Sequence, residues 1–309
     1  MWLSRALVLV LAGLAAVPGG GATPVRSVTT GGSIVALAMD GRRVAYADGR
    51  SARDCDRVRV WNLQTRGVTT FRRPTSCVRT STGTGIASLA LAGERVLWLH
   101  FAGGNIREWR LYTASVGSPS PRLLRFVSSD VDAPAPIVIG GGETSRFGDF
   151  LPYAVGRDVV VLRANGSRRF AWRAPARVTA LSALFGRVAV ASEGGLVTIL
   201  DADGLPVGAE QFAGEIRAVR LSGNGVLAQT GRALELRRAG LSRRYLLPPR
   251  SLLADAIGER ALYASGGRIR ELSLLTAADR SLGSGSLAEA AVSTVAIADG
   301  RRVIVRPLG

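Results

Sequence analysis

Beyond the first two dozen residues, apolar side chains fall in short runs that alternate with polar positions or continue unbroken. Glycine and Asp-Gly turns punctuate them, and helical spacing is absent. Five stretches share one layout of strand, glycine turn and strand: AVGRDVVVLRANG from Ala154, ASEGGLVTILDADG from Ala191, AQTGRALELRRAG from Ala228, ASGGRIRELSLLTAAD from Ala264 and IADGRRVIVRPLG from Ile297. Their turn glycines, Gly156, Gly194, Gly231, Gly267 and Gly300, recur at a period of roughly 36 residues, which marks a repeat array. A further strand precedes each stretch, as in the hairpin Val178–Ser192, and a short fourth strand follows, as in RRFAWR or RRYLLP. The unit is four antiparallel strands, A to D.

Two longer copies come earlier, which places units near 33–73, 86–126, 136–173, 177–213, 215–248, 252–282 and 286–308. The last unit lacks its D strand, and PVRSVTT at Pro24–Thr30 can supply it. Strand units of this period are the blades of a β-propeller, and an N-terminal strand completing the last blade would remove an exposed sheet edge. The expectation is an all-β, seven-bladed β-propeller of four-stranded antiparallel blades, one domain over 23–309, its last blade closed by the N-terminal strand. The pentapeptide DGRRV occurs at Asp40–Val44 and at Asp299–Val303, but the copies are not equivalent. The first spans an A–B turn and the second a B–C turn, and both answer the need of a tight hairpin for Asp-Gly.

MDGRRVAYADG, followed by DRVRVWNLQTRG, resembles a blade of the bacterial extracytoplasmic TolB-like and WD40-like propellers. As architecture the resemblance covers nearly all of the chain after its leader; as motif it rests on the first two units. The Gly-His and Trp-Asp marks of WD40 blades are absent, since Asn62 follows Trp61. The resemblance implies a rigid scaffold often used for protein binding, and it brings no catalytic residues.

Composition adds a strong field. Of 309 residues 47% are hydrophobic, enough for a substantial core. The net charge is +17, and all forty basic residues are arginine. Such a field favours acidic polymers, anionic lipid surfaces or nucleic acid, although no dedicated nucleic-acid motif is present; a solvated basic surface accounts for it equally. Residues 1–22, MWLSRALVLVLAGLAAVPGGGA, pair one early charge with an apolar run too short to span a bilayer comfortably, followed by small residues. They read as a signal peptide cut near Ala22, which makes the protein secreted or periplasmic; retention as an anchor is the alternative. No later segment could span a membrane, and a monomer is expected. In an oxidising compartment Cys55 and Cys77, with no third cysteine, are expected to form a disulfide.

Candidate chemistry is sparse. One histidine, His100, allows neither a multi-histidine metal or haem site nor a triad. There is no G-x-S-x-G elbow. GGGETSRFGD at Gly140–Asp149 lacks the lysine of a phosphate-binding loop and reads as a long A–B loop. Trp61, Trp98, Trp109 and Trp172 fall on strands as packing residues. No catalytic residue, metal or cofactor is expected. In a four-stranded unit the B–C turns and D-to-A connections share one face, and the longest of these hold both cysteines. That face supplies the binding candidates Arg53, Asp54, Asp56, Arg72, Arg73, Arg79, Asp130 and Asp132. The expected function is a non-catalytic scaffold binding an envelope protein or an anionic envelope polymer. The alternative is a propeller-fold hydrolase or lyase acting on a glycan or lactone through carboxylates of that face.

Overall fold

A computed structural model describes residues 25–49, 57–73, 83–223 and 225–308. The leader, Arg53, Asp54, Cys55, Asp56, Cys77 and Arg79 lie outside the described residues, so the disulfide and half of the candidate face are outside them too. Strand β1 (Arg26–Thr29) comes first. Sheet 1 holds β2 (Ser33–Met39), β3 (Arg43–Gly49), β4 (Arg57–Asn62) and β5 (Val68–Thr70). Sheet 2 holds β6 (Thr84–Ala92), β7 (Arg95–Gly103), β8 (Ile106–Ser115) and β9 (Ser118–Asp130). Sheet 3 holds β10 (Ile137–Ile139), β11 (Glu143–Ser145), β12 (Gly148–Val155), β13 (Asp158–Leu162) and β14 (Arg168–Arg173). Sheet 4 holds β15 (Val178–Leu184), β16 (Arg187–Ser192), β17 (Leu196–Leu200) and β18 (Pro206–Gln211). Sheet 5 holds β19 (Ile216–Ser222), β20 (Gly225–Thr230), β21 (Ala233–Arg238) and β22 (Leu241–Leu246). Sheet 6 holds β23 (Leu252–Ile257), β24 (Arg260–Ser265), β25 (Arg268–Ser273) and β26 (Asp279–Ser284), and sheet 7 holds β27 (Leu287–Ala291), β28 (Thr294–Asp299) and β29 (Arg302–Pro307).

The all-β, four-stranded antiparallel expectation holds. Strands within a sheet pair in chain order, except that β1 joins sheet 7 beside β29 and that β10 and β11 both pair with β12 in sheet 3. Arg26 stands opposite Val305 and Thr29 opposite Arg302. Thr30 extends the ladder, its N–H donating to Arg301 O at 2.8 Å and its hydroxyl to the same oxygen at 3.0 Å. The GGGETSRFGD segment departs from a plain loop. Its Glu143–Ser145 forms β11, which carries the hairpin with β12 up to the turn.

Burial within a sheet follows strand position. The second strands β3, β16, β20 and β28 are buried on both faces, because a neighbouring sheet covers each side; they read as near-continuous runs of Val, Ala, Leu and Ile. The outer strands β9, β18 and β22 alternate between exposed and partly covered, and they are where arginine appears, as Arg122, Arg125, Arg243 and Arg244. Apolar clusters lie at the junctions of neighbouring sheets. Trp98 and Tyr112 of sheet 2 stack at 5.7 Å and meet Val58, Val60 and Phe71 of sheet 1. Tyr46 and Trp61 of sheet 1 meet Ala296, Val303 and Val305 of sheet 7, so the first and last sheets share a core as well.

The first strands stand on the inner side, where that of each sheet packs on that of the next and β27 packs on β2. In sheets 1, 2, 4, 5 and 6 this strand carries a register shift near its start, for example between Leu253 and Asp255. A bulge there inserts one residue, bends the strand and resets which side chains face inward.

Candidate functional site

An inner strand is a sheet edge, and its outward N–H and C=O groups need partners other than a ladder. One column of side chains supplies them. The last pairs before the A–B turns of sheets 3 to 7 are Ser145–Gly148, Leu184–Arg187, Ser222–Gly225, Ile257–Arg260 and Ala291–Thr294. Two residues upstream of each stand Glu143, Ser182, Arg220, Asp255 and Glu289. The same position holds Ala38 and Ala90 in sheets 1 and 2.

Each polar member but the last reaches the next sheet. The Glu143 carboxylate accepts the N–H of Phe185 at 2.5 Å and of Gly186 at 3.2 Å. Ser182 Oγ accepts the Leu221 N–H at 3.1 Å. Arg220 donates to Ala254 O at 2.5 Å and pairs with Asp255 at 3.3 Å. Asp255 accepts the Ala256 N–H at 2.8 Å through one oxygen and the Ala290 N–H at 2.7 Å through the other. Glu289 makes no hydrogen bond or ion pair among the described residues. The glycines of GGGETSRFGD let sheet 3 join this arrangement. A Cβ on Gly142 would stand 2.2 Å from Leu91 O and one on Gly140 2.7 Å from Leu181 Cβ, so both neighbours approach closer than any other residue allows.

The column faces a cavity of about 480 Å³ enclosed by the A–B ends of the inner strands, with mainly apolar walls that include Met39, Leu184, Ile257 and Ala291. Four carboxyl groups and one guanidinium line it. Burial pushes Asp40 above its ordinary range, against the opposing N–H groups of Arg43 and Arg42. Burial likewise raises Glu143, opposed by the Gly186 and Phe185 N–H groups. Asp255 is raised by burial although Arg220 lowers it, and Glu289 is raised furthest, by burial and then by the negative charge of Asp255.

The rim of the cavity is unusual. Gly93, Gly223 and Gly258 take the first left-handed position of their A–B turns, with φ between 54° and 56°. In sheets 4 and 7 that position is Phe185, at φ 52°, and Val292, at φ 51°. Both are exposed, Val292 at 86%. A bulky or β-branched residue in this conformation is strained, and strain of this kind gathers at functional positions. Phe147, also exposed, packs over Gly186 beside Phe185, and Arg146 and Arg187 flank the pair in a contiguous depression.

No family model matches the chain, and no curated protein matches it. Solved structures do. A chain of the mitotic checkpoint complex is 14% identical, with a TM-score of 0.58, covering 100% of this chain and 98% of that one. Sqt1 of Saccharomyces cerevisiae is 11% identical, with a TM-score of 0.51, covering 93% of this chain and 99% of that one. The fold is that of a WD40-like β-propeller. At these identities the likeness is one of fold alone.

Strand direction assigns the two faces of the propeller. Inner strands run from the D-to-A connections toward the A–B turns, so the cavity and its apolar rim lie at the A–B end. Arg72 and Arg73 follow β5, and Asp130 and Asp132 close β9; all four are exposed on D-to-A connections at the opposite end. His100 is buried beside Thr84 Oγ1 at 3.2 Å, and burial followed by the Arg110 charge lowers it to about 4. Among the described residues no group of three or more His, Cys, Asp or Glu could hold a metal ion, and no helix is long and apolar enough to cross a membrane.

The axial column escaped sequence reading because its members differ in type. Superposing the A–B hairpins by their turns puts Glu143, Ser182, Arg220, Asp255 and Glu289 in register, and that alignment was the available signal.

Proposed function

We propose that this chain is an exported, non-catalytic scaffold, a seven-bladed propeller closed by β1, that binds an envelope protein through its A–B face. The observation that carries the docking surface is the pair Phe185 and Val292, two apolar side chains held exposed in strained left-handed turns at the mouth of the axial cavity. With Phe147, Arg146 and Arg187 they give the aromatic and arginine composition of interface hot spots. The partner that fits is a protein presenting an apolar anchor flanked by carboxylates. Export rests on the composition of residues 1–22. The non-catalytic reading draws support from Asp255, whose two oxygens are both engaged and leave no free base beside Glu289.

A second reading, an anionic envelope polymer, is favoured by the net charge of +17. The face bearing Arg72, Arg73, Asp130 and Asp132 is the surface it would share with the earlier candidates. Affinity capture from envelope extract separates these readings. Wild type, a Phe185→Gly/Val292→Gly variant and an Arg72→Ser/Arg73→Ser variant are each washed at low and then high salt. A rim-bound protein survives high salt, is lost with the rim variant and is kept by the arginine variant. Capture that vanishes as screening shortens to a few Å, on the order of 3 Å at 1 M, or that ignores the rim variant, overturns the proposal.

A further inference from the structure

Glu289 is the one polar member of the axial column with nothing to hold. It is enclosed by protein, lines the cavity and retains partial accessibility. Its neighbours are settled without it: Arg220 pairs with Asp255 at 3.3 Å, and Asp255 spends its remaining capacity on the Ala256 and Ala290 N–H groups. The positive charge of Arg220 is therefore balanced by Asp255, and ionised Glu289 leaves the group one negative charge in excess. Asp40 and Glu143, the other titratable groups of the wall, accept backbone N–H groups of their own. A carboxyl without a partner is costly in an enclosed site, and a ligand cation removes that cost. The rest of the wall is apolar, and the volume of about 480 Å³ lies within the range of small-molecule sites, roughly 300–1,000 Å³.

We infer that the axial cavity binds a small organic monocation, an ammonium group carried on an apolar body, with the ammonium seated against Glu289. The apolar body lies against Met39, Leu184 and Ile257. The site is independent of the partner-binding reading and stands if that reading fails. Burial and the negative charge of Asp255 both raise the proton affinity of Glu289, and a ligand cation opposes them. The bound state is a carboxylate paired with the incoming ammonium, and any proton the carboxyl carried beforehand passes to solvent.

Titration calorimetry of the full chain near neutral pH with n-hexylammonium, n-hexanol and hexanoate tests this. Hexylammonium is expected to bind at least tenfold more tightly than hexanol, and hexanoate not measurably. Glu289→Gln, which keeps the shape of the neutral acid, should bring hexylammonium within about twofold of hexanol. Ala183→Phe, which fills the cavity, should abolish both, with thermal unfolding confirming that each variant is folded. Equal affinity for amine and alcohol in the wild type, or undiminished amine binding by Glu289→Gln, overturns the site.

Discussion

At the scale of single residues, the conformations of Phe185 and Val292 set stability against function. Glycine occupies the equivalent position in three other A–B turns, and a left-handed L-residue costs roughly 1–2 kcal/mol. Val292→Gly relieves that strain, offset in part by the freedom glycine gains on unfolding. It is expected to raise stability by up to about 1 kcal/mol in denaturant unfolding while weakening partner capture; a destabilised variant would show that Val292 is packed rather than presented. His100 makes a different prediction. Its folded value near 4 lies below its ordinary 6.5, so the unfolded chain takes up a proton first as pH falls. Stability associated with this ring is complete above about 6.5 and is lost between about 6.5 and 4, by up to about 3 kcal/mol. Glu289 acts in the opposite sense, losing stability as pH rises through its raised value. The His100 component is therefore read from the difference between wild type and His100→Leu: the gap should change across that window and stay flat above it.

At the scale of elements, β1 is the test case. Without it β29 becomes an exposed edge, and Val28 leaves the cluster joining sheets 7 and 1. Deleting Arg26–Thr29 should lower the unfolding temperature and promote association visible by light scattering; an unchanged unfolding temperature would refute a structural role for the pairing. The elements themselves were legible because B strands are near-continuous apolar runs and C strands such as RVRVWN and RIRELS alternate, with tight turns between them. The inner strands were less so. A bulge after Leu253 breaks the two-residue period, so alternation cannot say that Asp255 faces the axis. The short β11 was hidden by three glycines, of which Gly140 and Gly142 are required by the close approach of Leu181 and Leu91, residues distant in sequence.

At the scale of the molecule, the outer strands and the wall of the axial cavity differ in charge. Arginines such as Arg168, Arg173, Arg243 and Arg244 line the outer strands, whereas the axial wall is acidic and apolar. A net charge read from composition carries no information about this division. The cavity and its apolar rim lie at the A–B end, where the turns are short and attract no notice in a sequence.

Sheet 7 also ties the first described strand to the last. Thr30 and its partner Arg301 are 271 residues apart in the chain. The first described strand must wait for one made near the other end of the chain, and a chain arrested before β29 keeps β1 unclaimed and leaves the last sheet unbuilt. The pairing thus joins the two ends of the described chain in one sheet, and β1 has no ladder partner until β29 has been made.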